Sequence, residues 1–454
     1  MSKFESLQNR EAGLSRKLTA KQMSMIAIGS AMGTGLFLGS KFAIGFAGPA
    51  VIISYAIGAL ISLALISCLA EMTIQHPTTG SFATYAEYYI HPLAGFLVRY
   101  CYWICNVLAI GTEVLAISEY MKFWFPNINV WIWIILFPAI LICINTYSVK
   151  VFGSIEYWFS AIKIFALTAF ISLTIILLFS HNNLQQIQHN LFDQGGFAPF
   201  GLKGIWLGVI ISIFSFLGIE MIAIAASEAS KPEQAVKNAF KTTLIRLFLF
   251  YLLALGLIVA LVPWQHLIQE NSSPFVSVMQ NLGIPFAAGI LNFIVIIAAL
   301  SAMNSMLYIT TRMLFSMARA KQAPLLFGRI SSHGVPVNAL FLSSAGIAVA
   351  VVVHLTEPEK AFPVMIALSI FGALFSWGMV FLSHLFFRYK LHQQNIALKF
   401  RIAGFPLFTL GGLLAIISII ISTWFTPIFH ATLLFGIPFL LLLTFVFWLK
   451  QGQK

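Results

Sequence analysis

Apolar stretches of about twenty residues, the length that crosses a bilayer, recur almost end to end in this chain. Short polar or glycine- and proline-bearing turns separate them. Twelve such segments can be counted, with approximate cores 22–46, 49–70, 95–121, 130–147, 154–180, 204–227, 240–262, 284–317, 337–355, 362–386, 404–424 and 427–449. Turn chemistry marks clear breaks at Gly48-Pro49, Phe125-Pro126-Asn127 and Thr426-Pro427, because proline cannot donate a helical hydrogen bond and glycine ends helices. In hydrocarbon, a spanning segment satisfies its backbone by forming a helix. The pattern therefore predicts an all-α polytopic membrane protein with about 12 transmembrane helices. The eighth segment is longer than a bilayer needs, which predicts tilt or an extension beyond it.

The first segment breaks the pattern. Residues 28–40 carry Gly29, Gly33, Gly35 and Gly39 with Ser30, Thr34 and Ser40. Glycine loses the most entropy in a helix, and hydroxyl side chains compete for backbone hydrogen bonds. One reading is a helix that breaks so that bare backbone groups meet a ligand. The other is small-residue packing between helices, which uses glycines at the same spacing.

The sixth segment repeats the feature. Phe214-Ser-Phe-Leu-Gly-Ile-Glu220 sets a hydroxyl, a glycine and a carboxylate in mid-segment. The first segment opens one group of five helices and the sixth opens the next. Interrupted segments at corresponding positions of two halves point to an inverted-repeat transporter. A break at 32–35 frees N–H groups at a positive dipole end, which suits a carboxylate. A break near 216–218 frees carbonyls, which suit a protonated amine. Together they describe a site for a zwitterion, and so for an amino acid.

Charge sharpens this picture. Only 9% of the residues are charged and 59% are hydrophobic. That leaves one large membrane domain at 22–449, between polar tails at 1–21 and 450–454. The polar start carries no small-residue cleavage pattern, so no cleavable signal peptide is expected. With the N-terminus inside, eighteen Lys and Arg lie in inside loops and tails, against Lys41, Lys122, Lys203 and Lys360 outside. That bias predicts that both termini are cytoplasmic. The net charge of +12 is scattered through short loops, so no nucleic-acid partner is expected. No Gly-x-x-x-x-Gly-Lys-Ser/Thr stretch is present, which argues against ATP-driven transport by this chain alone. The sole Asp, Asp193, falls in an outer loop and the histidines are scattered. Membrane-embedded hydrolase or transferase chemistry is thus not expected, nor is a metal or other cofactor. A passive channel would show rings of carboxylates or filter carbonyls, and none is seen. Cys68, Cys101, Cys105 and Cys143 all lie in apolar segments and read as packing residues. Oligomeric state is not legible.

Ionisable residues inside spanning segments are costly and mark function or pairing. Lys163 in the fifth segment reads as an ion-pair partner, as a lysine that titrates during transport, or as an ammonium standing where a sodium ion would meet unwound carbonyls. Glu220 lies at the second break and suits gating or proton coupling. Glu113, in the middle of the third segment, fits proton or substrate work, or an internal hydrogen-bond network. Arg99, Glu119, Arg246 and Arg312 suit snorkelling or structural pairing. Aromatic residues make 14% of the chain. Trp124, Trp131, Trp133 and Trp424 near segment ends read as interfacial. Phe214, just before the second break, is placed to close over a substrate or simply to pack.

These residues carry a family pattern. The matching stretches include 25–40, Ala47-Gly-Pro49, Ala70-Glu71-Met72, Glu156-Tyr-Trp-Phe159 with Lys163, and Ser215-Phe-Leu-Gly-Ile-Glu220. Further along come Glu228-Ala-Ser-Lys-Pro232, Ala299-Leu-Ser-Ala-Met-Asn-Ser305 and Gly334-Val-Pro-Val337. The chain resembles the bacterial amino acid permeases of the amino acid–polyamine–organocation superfamily. It is most similar to the branch holding aromatic, proline, GABA and D-alanine/glycine permeases. The resemblance implies a LeuT-like fold of two inverted five-helix repeats, helices 1–5 and 6–10, plus helices 11 and 12. It implies amino acid uptake across the bacterial cytoplasmic membrane, usually coupled to protons. By position, Ala31, Gly33, Thr34 and Gly35 would hold the substrate carboxylate. Carbonyls around Phe216, Leu217 and Ile219 would hold the amine. Phe214 would gate, Glu220 would act in gating, and Lys163 would replace the sodium ion. Asn106 and Met306 fall where relatives contact the substrate side chain. Two departures stand out: Ser30 where the family often has glycine, and Lys41 where it commonly has glycine. The leading expectation is proton symport of a neutral α-amino acid; the alternatives are an exchanger of the same fold, or a permease for GABA or cationic amino acids.

Overall fold

The computed structural model describes residues 25, 32–78, 80–147, 149–180, 184–220, 248–270, 272–332 and 334–451. Among them every regular element is helical. The first segment gives α1 (Thr34–Phe37) and α2 (Gly39–Ala47), followed by α3 (Val51–Gln75), α4 (Ser81–Tyr89) and α5 (Pro92–Met121). Next come α6 (Val130–Tyr147), α7 (Val149–Ser180), α8 (Leu184–Gln188) and α9 (Gly201–Phe216), then α10 (Phe248–Leu261). The chain continues through α11 (Trp264–Gln269), α12 (Pro274–Asn281), α13 (Pro285–Arg319), α14 (Val337–Ser343) and α15 (Ala345–Thr356). It ends with α16 (Ala361–Gln393), α17 (Leu407–Trp424) and α18 (His430–Gln451).

Eight helical stretches among the described residues are long and apolar enough to cross a membrane. The expected break at Gly48-Pro49 is present: Gly48 has φ +60°, and a Cβ there would lie 2.5 Å from Pro199 Cγ. The eighth segment is the 35-residue α13, longer than a bilayer requires, as expected. The ninth differs from its expected continuous helix. It divides at Ser344, whose hydroxyl donates to the Phe341 carbonyl at 2.7 Å, a local bond that competes with the helical ladder.

α5 is the central post. Its apolar window is 78% buried, and α16, α13, α15 and α4 all pack along it. Small residues let the backbones approach: a Cβ on Gly372 of α16 would lie 2.1 Å from the Cys101 carbonyl oxygen. In a membrane, such close packing supplies much of the association that hydrophobic burial supplies in water. Cys68, Cys101 and Cys105 are buried as expected, but Cys143, on α6, is exposed. Trp133 is buried to 9% exposure between the Phe125 and Phe137 rings.

Ion pairs fasten the helix ends. Arg99 pairs with Glu87 at 2.7 Å, and Lys122 with Glu119 at 2.8 Å. At the end of α3, Glu71 accepts from the Arg388 Nη2 at 2.9 Å and from the Ile402 N–H at 2.9 Å. Arg388 Nε also meets Glu71, and the His384 ring lies 3.4 Å from it. Replacing Arg388 with methionine leaves this buried carboxylate short of its cation. The expected loss is about 3–5 kcal/mol of stability, read as a lower melting temperature in detergent; an unchanged one would show the pair to be idle.

Candidate functional site

The first break is where the glycines are. Met32 and Gly33 are non-helical, and Gly33, with φ −111° and ψ −160°, caps the start of α1. A Cβ on Gly33 would lie 2.8 Å from Glu113 Oε1 and 2.9 Å from Ala302 Cβ. The missing side chain is what lets α5 and α13 close on the exposed backbone. The Thr34 N–H donates to Glu113 Oε1 at 3.4 Å. Thr34 Oγ1 and Glu113 Oε2 are buried beside this bond. A carboxylate of the protein itself therefore stands where a helix start attracts negative charge. Ala31, like Gly29 and Ser30, lies outside the described residues.

The second break sits directly on the first. α9 stops at Phe216; Leu217 turns to φ −57°, ψ 141°, and Gly218 takes φ +98°, a left-handed conformation that favours glycine. Leu217 N–H returns to the Phe214 carbonyl at 3.3 Å and Ile219 N–H to that of Phe216 at 3.4 Å. The Gly218 N–H donates to both oxygens of Glu220 at 3.2 Å, and the Tyr102 hydroxyl donates to Glu220 Oε1 at 2.7 Å. Glu220 thus fastens the turn it belongs to and ties it to α5. The Ser215 hydroxyl donates to the Gly35 carbonyl at 2.6 Å and pairs with the Tyr55 hydroxyl at 2.8 Å. Tyr251 donates to the Ser215 carbonyl at 3.3 Å.

Lys163 meets the first break from α7. Its side chain is 0% exposed. Its ammonium donates to the Met32 carbonyl at 3.3 Å and to Ser301 Oγ at 2.7 Å. Ser301 in turn donates to Glu156, whose other oxygen accepts from Asn304 at 3.2 Å. Lys163 therefore reaches from α7 to a carbonyl of the non-helical stretch just before α1.

The structure brings Gly33, Thr34, Gly35, Glu113, Phe214, Phe216 and Lys163 together around the paired breaks, with Leu217, Ile219 and Glu220 on the second turn. Phe214 lies against Gly35, where a Cβ would come within 3.1 Å of its ring. Asn106 turns to its own helix, donating to the Tyr102 carbonyl at 2.8 Å; Met306 is buried on α13. Glu156, Ser301 and the hydroxyls of Tyr55, Tyr102 and Tyr251 escaped the sequence reading of the site. Glu156 had one usable signal: it precedes Lys163 by seven residues, two helical turns on the same face.

Lys41, in the first turn of α2, gains a partner. Its ammonium donates to the Glu270 carbonyl in the turn between α11 and α12. Beside it, the Ser273 hydroxyl donates to the Phe37 carbonyl at 2.7 Å, and the Phe37 and Phe275 rings lie 4.9 Å apart. The α11–α12 loop is thus pinned over this end of the interrupted segment.

The chain matches the family model described as "Amino acid permease" over residues 22–454. It belongs to the amino acid permease family. The permease is 36% identical to "Uncharacterized amino acid permease YtnA" of Bacillus subtilis (strain 168), over 99% of this chain and 97% of that one. It is 37% identical to "Aromatic amino acid transport protein AroP" of Escherichia coli (strain K12), over 91% of each chain. A crystal structure of a mutant manganese transporter from Eremococcus coleocola superposes with a TM-score of 0.59, covering 94% of the permease and 92% of that chain. At 16% identity this likeness speaks for the fold alone, which is LeuT-like. The permease is a multi-pass membrane protein of a transporter family of the amino acid–polyamine–organocation superfamily.

Proposed function

We propose that the permease imports a neutral α-amino acid by proton symport with alternating access, across a bacterial cytoplasmic membrane with both termini inside. The observation that carries the coupling is Lys163, a buried ammonium on the Met32 carbonyl. A titratable cation that holds one arrangement of a broken helix links protonation to that helix's position. The substrate carboxylate is assigned to the backbone around Gly33, Thr34 and Gly35, with Ala31 as a further expected contact. The amine is assigned to carbonyls around Phe216, Leu217 and Ile219, with Phe214 and Glu220 gating and Asn106 and Met306 near the side chain. Because Glu113 already takes the Thr34 N–H, a substrate carboxylate arrives only with Glu113 protonated or displaced. AroP's name makes aromatic amino acids the first to try.

The test is transport by the purified protein in liposomes carrying a trapped pH indicator. Adding a substrate amino acid outside is expected to acidify the lumen, and an inward proton gradient to drive accumulation. Uptake that ignores the gradient and needs internal substrate would replace symport by exchange.

A further inference from the structure

α7 and α13 run antiparallel, and their facing residues form a polar ladder through apolar surroundings. Lys163 faces Ser301, Glu156 faces Ser301 and Asn304, and Phe152 faces Tyr308. The first five of these, with Asn145 behind them, are all buried. Ser301 Oγ accepts from the Lys163 ammonium at 2.7 Å and donates to Glu156 Oε1. Asn304 donates to Glu156 Oε2 at 3.2 Å. Asn145 on α6 fixes Asn304 by donating to its side-chain oxygen at 2.8 Å, so the amide presents its N–H₂ to the carboxylate. Ser160 adds a third donor to Glu156 at 3.5 Å.

We propose that Glu156 is the second proton-carrying residue of the permease, exchanging the coupling proton with Lys163 through Ser301. The proposal rests on the proton-symport reading above. A hydroxyl that accepts from one group and donates to another is a one-step proton wire. The Lys163 Nζ–H bond breaks as an Oγ–H bond forms on Ser301. The original Ser301 O–H bond breaks as an O–H bond forms on Glu156 Oε1. Ammonium and carboxylate become amine and carboxylic acid, and no other reactant is needed.

The direction is built into the ladder. Glu156 lies two turns nearer than Lys163 to the start of α7, the end that the positive-charge bias assigns to the cytoplasm. One turn further, the Phe152 and Tyr308 rings stack at 4.1 Å with the Arg312 guanidinium 4.2 Å over Tyr308, closing that end. On the other side, the carboxylate facing Lys163 across α1 is Glu113. The transfer also has a mechanical consequence. The Lys163 bond to Met32 is charge-assisted, and such bonds are about twice as strong as neutral ones. Passing the proton to Glu156 therefore loosens the first break.

Full-length wild type, Glu156→Gln, Ser301→Ala and Ser301→Thr are compared in indicator-loaded liposomes. The probe is an equimolar mixture of the neutral proteinogenic amino acids, with radiolabelled counterflow of the same mixture reporting a folded carrier. Expected is lumen acidification per labelled amino acid that falls about a hundredfold in Glu156→Gln, at the lower end of what a positioned proton-transfer group supplies. The same loss is expected in Ser301→Ala, with recovery in Ser301→Thr, which keeps the hydroxyl. If Glu156→Gln shows no counterflow, the two Ser301 variants decide. Undiminished acidification in Glu156→Gln or Ser301→Ala beside an acidifying wild type overturns the role of Glu156 alone. A wild type that performs counterflow without acidifying overturns the symport reading, and this proposal with it.

Discussion

Lys163→Met is expected to abolish proton-driven accumulation, leaving the internal substrate concentration no higher than the external one. Methionine fills a similar volume but offers no proton and no donor. The Met32 carbonyl then loses its cation, and Ser301 loses the ammonium that it accepts from. The larger consequence falls on Glu156, which is 0% exposed, reaches Lys163 through Ser301 and accepts from Ser160, Ser301 and Asn304, none of them a cation. Stranding one member of a buried pair costs about 3–5 kcal/mol, so the variant should also melt earlier. The double variant Lys163→Met/Glu156→Gln separates the two effects. Replacing both charges of a buried pair by neutral groups is often close to neutral for stability. Its melting temperature is therefore expected to recover while accumulation stays lost. Measured together, the two readouts tell a coupling residue from a structural one. Accumulation by Lys163→Met with an unchanged pH dependence would sink the role given to this lysine.

How much of this was legible beforehand depended on how local each feature was. The helices follow from apolar length and from the bilayer's demand for backbone hydrogen bonds, so the segments could be placed one by one. The breaks were legible for the same reason. Gly33, Thr34 and Gly35, like Ser215 and Gly218, are weak helix formers in places where only a helix is otherwise allowed. The packing reading of residues 28–40 applies to both glycines there: Gly33, in the non-helical stretch before α1, and Gly35, inside α1, each admit neighbours that a Cβ would meet. The partners were not legible, because they come from distant parts of the chain. Nothing near Lys41 announces the Glu270 carbonyl, and nothing near Glu71 announces Arg388. Glu156 lies close to the start of its segment, where a carboxylate reads as interfacial; only the packing of α13 against α7 shows it to be buried. Nor does anything near Trp133 announce the Phe125 ring that packs on it.

Gly35→Ala is expected to eliminate substrate binding and transport in a protein that still inserts and folds. A Cβ at position 35 would lie 2.7 Å from Ser215 Cα, and 3.1 Å from both the Phe214 ring and the Phe214 carbonyl oxygen. Two of those three atoms are backbone, so no rotamer change relieves the overlap, and α1 and α9 must separate. Overpacking of this kind costs about 1–3 kcal/mol, a loss that a helical membrane domain can absorb. The site is far less tolerant, since a displacement of about 1 Å at a positioned group can cost about a hundredfold in rate. The separation also stretches the Ser215 bond to the Gly35 carbonyl, 2.6 Å long, which holds the two breaks in register. Gly411→Ala is the control. Nothing lies within 4 Å of a Cβ there, and alanine is the better helix former by about 1 kcal/mol, so transport and melting temperature should hold or improve slightly. The measurements are ligand-induced stabilisation and uptake in liposomes for both variants. Binding by Gly35→Ala at wild-type strength would mean that the two breaks do not form one site.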